Sequence, residues 1–176
     1  APSYSPGPLE LPNTTPVMLA SDAGNTLDRT YDAYFEIQCA MAADQTPPPV
    51  ALNTLIEGLR ELEMLANVPD EAQRRFATAR RAASRMDGSL ETAREAYRGV
   101  SHAMLRAATV ARGPKTAVKL THHYCPMVPG GGGDWMQPGG DLQNPYWGSE
   151  MLTCGEVVRD MAMPAGMVPS IARTVQ

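Results

Sequence analysis

The sequence predicts an all-α protein, an up-and-down four-helix bundle over about 22–112 carrying an irregular C-terminal cap. Three observations predict it. Residues 21–112 are dominated by Ala, Leu, Glu and Arg, good helix formers interrupted only by Pro47 to Pro49 and Pro69. Within that region apolar residues recur at spacings of three and four, the periodicity of one helical face. The breaks between periodic stretches are short, which favours antiparallel neighbours.

The elements follow in order. Residues 1–20 hold Pro2, Pro6, Pro8, Pro12 and Pro16 with no periodicity and read as an extended Pro-rich arm. The first helix carries Leu27, Tyr31, Tyr34, Gln38 and Met41 on one face, and Leu52, Leu55, Leu59, Leu62 and Ala66 mark the second after the triple proline. Ala72, Phe76, Ala79, Ala83 and Met86 give a weaker third helix, with Pro69, Asp70 and Glu71 suited to its first turn and Gly88 ending it. Ser89 is an N-cap for the fourth, whose stripe runs Leu90, Ala93, Tyr97, Val100, Met104, Ala107, Ala111 until Gly113-Pro114.

After Pro114 the periodicity is lost. Lys115 to Tyr124 reads as a short strand or an extended segment packed on the bundle, Gly130 to Gly140 as a long loop with a flexible four-glycine turn, and 149–161 as a brief helix. The domain thus spans 21–161, with an irregular tail at 162–176.

Composition excludes several roles. The net charge of −4 comes from acids and bases intermixed along the middle of the chain, so there is no basic face for nucleic acid or anionic membrane. No stretch reaches the roughly 18 apolar residues of a membrane span. The chain opens Ala1-Pro2-Ser3 without an initiator Met and is read as a processed or excised segment. G-x-S-x-G, H-E-x-x-H, P-loop, C-x-x-C and dinucleotide-binding patterns are all missing, so no enzymatic activity is expected.

The unusual side chains lie in the C-terminal third. His122-His123-Tyr124-Cys125-Pro126-Met127 and, beyond the Gly-rich loop, Met151-Leu152-Thr153-Cys154-Gly155 bring together thiol, thioether and imidazole donors. That set favours Cu(I) and suits Mg²⁺ or Ca²⁺ poorly. On an extended segment His123, Cys125 and Met127 share one side; on a helical turn Met151 and Cys154 share one face. The candidate metal ligands are therefore Cys125, Met127, Met151, Cys154, His123 and His122, with copper as Cu(I) expected and Ag(I) or Zn(II) as alternatives. Chain-wide, 11 methionines in 176 residues is a high proportion that such a role would use.

Other readings stay open at this level. With three cysteines at least one thiol is unpaired, and Cys125 and Cys154 are equally suited to a disulfide closing the loop. The chain would then be a structural or interaction module without metal. Cys39 is expected to be a core thiol, His102 a structural residue, and His122 exposed or hydrogen-bonded. Met161, Met163 and Met167 fill an irregular tail or form an auxiliary thioether cluster. A thiol-dependent redox enzyme would need a base beside a cysteine, and only His123 is in range.

The segments Tyr124-Cys125-Pro126-Met127, Trp135, Asn144-Pro145-Tyr146-Trp147-Gly148 and Met151-Leu152-Thr153-Cys154-Gly155-Glu156-Val157 together resemble a domain of unknown function. That domain occurs in bacterial exported proteins and at the C-terminal end of some adaptor subunits of copper and silver efflux pumps. The resemblance covers about 22–161, with its motifs in the last forty residues of that span. It implies a periplasmic or exported location, heavy-metal handling and partners in a metal efflux system. The Gly130 to Gly133 run and the His122-His123 pair depart from the family's pattern. The N-P-Y-W-G turn is expected to hold the two soft-donor segments together by packing Tyr146 or Trp147 onto the cap.

Overall fold

The computed structural model describes residues 6–168. Four helices form: α1 (Ser21–Ala42), α2 (Pro49–Met64), α3 (Asp70–Ala83) and α4 (Leu90–Ala108); the last stops short of the expected 112, because Ala111 and Arg112 leave the helix to pair as a strand with Val17 and Met18. Two of the helices start by a legible device. Pro49 occupies the first turn of α2, where its missing N–H costs nothing, and Ser89 Oγ accepts the Thr92 N–H at 3.1 Å to cap α4. Successive helices pack on one another, and aromatic side chains close α1 onto α4. Tyr34 stacks on Tyr97 at 5.3 Å between ring centres, its hydroxyl is 2.7 Å from Ser101 Oγ, and Tyr31 donates to the Met104 carbonyl at 2.8 Å.

The all-α expectation is wrong. Five strands in two sheets make up 12% of the described residues beside 47% helix, so the fold is mixed α/β. A parallel pair joins β1 (Val17–Met18) in the arm to β2 (Ala111–Arg112) after α4. A three-stranded antiparallel sheet of order β4-β3-β5 is built from β3 (Thr121–Cys125), β4 (Gly133–Gln137) and β5 (Glu156–Asp160). The segment 149–161, expected to be helical, contains a 3-10 turn at Gly148–Glu150 and then β5. Gly155, at φ +140°, separates the two, and the β-branched pair Val157-Val158 favours the strand.

Both faces of β3 and β4 are largely covered, which removes the polar–apolar alternation that would have announced them. The free edge of β4 meets the helices and is satisfied there. The Met136 N–H donates to Tyr34 Oη at 3.0 Å, the Asp134 N–H to His102 Nε2 at 3.3 Å, and Tyr146 donates to the Asp134 carbonyl at 2.5 Å. An edge strand is thereby joined to the bundle through side chains instead of a further strand. Among the described residues no helix is long and apolar enough to cross a membrane.

Candidate functional site

Cys125 ends β3 because Pro126 has no N–H to continue the ladder. Its side chain shares a sheet face with His123, two residues earlier, and lies opposite Gly133 on β4. Cys154 arrives from a turn in which its own N–H donates to the Met151 carbonyl at 3.0 Å. The two sulfurs are 3.1 Å apart, both unbonded thiols, from positions 29 residues apart. Cys125 is fully buried and Cys154 half-buried beside a surface cleft that also reaches Pro126 and Tyr124.

Close approach explains the glycines around the pair. A Cβ on Gly132, at φ +88°, would sit 2.4 Å from the Tyr124 hydroxyl, and one on Gly155 would be 2.9 Å from the Trp135 ring. The four-glycine run is thus a packed turn against Tyr124 and Tyr146, where the sequence suggested only flexibility.

No family model, curated protein or solved structure matches this chain.

Burial holds the Cys125 thiol up, to about 11, and its contact with Cys154 adds to the shift; the Met127 backbone N–H and the Asn144 side chain pull weakly the other way. At neutral pH this is a protonated thiol. His123 is 2% exposed and stacks on Trp135 at 5.3 Å, and neither of its ring nitrogens has a hydrogen-bond partner. Burial, helped by neighbouring His122, lowers its pKa to about 4, so the ring is neutral, the form that ligates metal.

The remaining candidates are placed differently. Met127 is 59% exposed in the turn after β3, and Met151 is half-buried after the 3-10 turn. His122 faces away from the cysteines: strand alternation puts it on the other side of β3, where Nε2 meets Asp134 Oδ2 at 2.5 Å. That carboxylate, 2% exposed, also accepts the Leu9 N–H at 3.0 Å and lies 3.5 Å from His102 Nε2. It ties the arm, the sheet and α4 together. Cys39, expected in the core, is exposed; it falls one residue past Gln38, about 100° round the helix from the buried stripe. Among the described residues no three His, Cys, Asp or Glu side chains converge to hold a metal.

The N-P-Y-W-G turn, expected to act through Tyr146 or Trp147, acts also through the side-chain amide of Asn144. Asn144 is fully buried, donates through Nδ2 to the Cys154 carbonyl at 2.8 Å, and accepts the N–H groups of Tyr146 (2.9 Å) and Trp147 (3.3 Å) at Oδ1. Its main-chain N–H also donates to the Leu152 carbonyl at 2.8 Å. The N-P-Y-W-G turn is joined to the Cys154 segment through this amide. Asn before Pro signals a turn, but nothing in the sequence says that the amide reaches eight to ten residues onward.

Proposed function

We propose that the chain is a soft-metal-binding domain whose centre is the Cys125–Cys154 dithiol and whose ion is Cu(I). The observation that carries this reading is the meeting of two thiols, from segments that each bring a methionine, at a position fixed by the Asn144 amide and the Met151 carbonyl on the Cys154 backbone. Thiolate and thioether donors select Cu(I), and a monovalent soft ion is held by as few as two thiolates. Zn²⁺ needs four donors arranged as a tetrahedron, which this set does not offer as it stands. The orphaned imidazole of His123, on the Cys125 side of β3, is a reserve third donor; a buried ring with two unpaired nitrogens calls for a partner. Ag(I) fits the same donors. The resemblance to a domain of copper and silver efflux adaptors supports a periplasmic or exported setting and a role in metal efflux or homeostasis.

A second reading is favoured by the 3.1 Å separation itself. A closing movement of about 1 Å would bring the sulfurs to bonding distance. Two thiols would then lose two protons and two electrons to an oxidant and form a disulfide, leaving a structural or interaction module. One experiment separates the two. The reduced protein is titrated with Cu(I) against a competing chelator, alongside Cys125→Ser and Cys154→Ser, and free thiols are counted in protein isolated without reductant. Stoichiometric Cu(I) retained by wild type and lost from both variants supports the metal site. Equal, weak competition by all three, with one thiol per denatured chain, replaces it with the disulfide.

A further inference from the structure

A cleft of about 230 Å³ opens far from the dithiol, between the arm, the end of α4 and the residues that follow β5. Its polar lining is Asn13, Thr14 and Thr15 of the arm with Thr109, Arg112, Arg159 and Asp160. The arm forms a fixed wall: Thr14 Oγ1 donates to the Thr109 carbonyl at 2.8 Å, and the Val17 N–H to the Val110 carbonyl at 2.9 Å.

The charge in this cleft is unbalanced. Arg112 is 2% exposed, yet its guanidinium is met only by neutral oxygens, with Nε donating to the Ala108 carbonyl at 2.5 Å and Nη1 to the Thr116 carbonyl at 3.1 Å. Burial lowers its pKa, the Tyr31 hydroxyl opposes that, and the nearby charge of Arg159 lowers it again, so the two cations feel each other. Among the described residues neither arginine forms an ion pair. Asp160 supplies one negative charge against two positive, and its Oδ1 accepts the Ala162 N–H at 2.9 Å. Buried charges are ordinarily paired, and here the counter-charge is missing.

We propose that this cleft is a binding site for a small oxyanion, a phosphate or a short-chain carboxylate, held between Arg112 and Arg159. The hydroxyl protons of Thr14 and Thr109 are already donated to carbonyls, so the charged donors to the anion are guanidinium N–H groups, whose planar fork suits an oxyanion, with Asn13 and Thr15 as neutral donors on the arm wall. The volume is below the roughly 300 Å³ at which drug-sized pockets begin, which restricts the ligand to a few heavy atoms. Met161, Met163 and Met167 line the same cleft and give it an apolar wall. Beside two guanidiniums these thioethers are poorly placed to collect a metal cation. The proposal is independent of the metal reading.

The test follows the Arg112 and Arg159 side-chain Nε–H signals and the backbone amides by two-dimensional NMR. Sodium phosphate and sodium acetate are titrated separately, with ionic strength held constant by sodium chloride. Saturable shifts at the cleft with either anion, weakened at least tenfold in Arg159→Gln, are expected, and the arm that saturates at lower concentration identifies the anion class. Arg159 is half-buried at a strand edge, so this variant is expected to fold, and its amide spectrum confirms that. Shifts reproduced by chloride alone, or equal binding by Arg159→Gln, overturn the proposal.

Discussion

Replacing Asn144 with alanine tests whether the N-P-Y-W-G turn and the Cys154 segment are one unit. The truncation removes three hydrogen bonds at a fully buried position and leaves the Tyr146 N–H and the Cys154 carbonyl without their partners. A hydrogen bond to a neutral group nets about 1 kcal/mol, and a buried group left unpaired costs about 1–3 kcal/mol. Three lost bonds with at least one buried orphan give about 3 kcal/mol of destabilisation. With a urea slope of about 3 kcal/mol per molar, at the upper end for small domains, the midpoint falls by about 1 M. The assay is urea unfolding of the reduced protein followed by tryptophan fluorescence, since Trp135 and Trp147 both lie near the turn. Reductant is essential, because a Cys125–Cys154 bond would hold the two segments together without the amide. Asn144→Asp keeps the Oδ1 acceptor but sets an oxygen against the Cys154 carbonyl, so it should not restore stability. A midpoint for Asn144→Ala within about 0.2 M of wild type would refute the reasoning.

Three further outcomes follow from the same geometry. Tyr34→Phe removes the hydroxyl that receives the Met136 N–H and meets Ser101, so stability should fall by about 2 kcal/mol and the Met136 amide should exchange faster; unchanged exchange there would separate the β4 edge from α1. Burial holds His102 at about 4, as it does His123, against about 6.5 when unfolded, so the unfolded chain binds more protons between those values. Stability should be complete above pH 6.5 and decline as pH falls toward 4, by up to about 1.4 kcal/mol per unit for each imidazole, and a flat urea midpoint over that window would contradict both assignments. Oxidation of the dithiol closes a loop between positions 29 apart, for which chain entropy predicts about 3.5 kcal/mol of added stability, read as a higher midpoint without reductant that Cys154→Ser abolishes.

The helices were legible because their signal is local. Tyr31, Tyr34, Gln38 and Met41 repeat within a few turns, and all are buried in α1. The sheet was illegible for the opposite reason. His122 and His123 point to opposite sides of β3 and both are buried, one against Asp134 and the other against Trp135, so no polar face marks the strand. The sequence of β4, Gly133-Asp134-Trp135-Met136-Gln137, has no β-branched residue and is covered by α4 and Tyr146. What makes these segments strands is non-local burial, which periodicity does not encode. The same limit applied at the site. The donors could be named from residue type, but that His122 faces Asp134, that Cys39 is exposed and that Asn144 reaches the Cys154 carbonyl are facts of tertiary placement.

The protonation of Cys125 bears on the choice between metal and disulfide. Thiol–disulfide exchange begins with a thiolate, and a thiol held up to about 11 supplies very little of one at neutral pH. Cys154, the more accessible sulfur, is left to attack the oxidant first, and the buried Cys125 must then attack the resulting mixed disulfide as a thiolate it rarely forms, releasing the oxidant's group. Metal binding meets the same barrier differently, because the ion itself expels the proton. Taking a thiol from about 11 to its anion at pH 7 costs about 5 kcal/mol, four units at about 1.36 each. Thiolate metal sites release on the order of 10–16 kcal/mol in small zinc domains, which exceeds that cost. Burial that slows oxidation therefore still permits capture of a soft ion, provided capture strengthens with pH. Each proton released on binding should raise the apparent Cu(I) affinity tenfold per pH unit below the thiol range, so two thiols give a hundredfold. An affinity independent of pH between 6 and 8 would mean that these thiols are not the ligands.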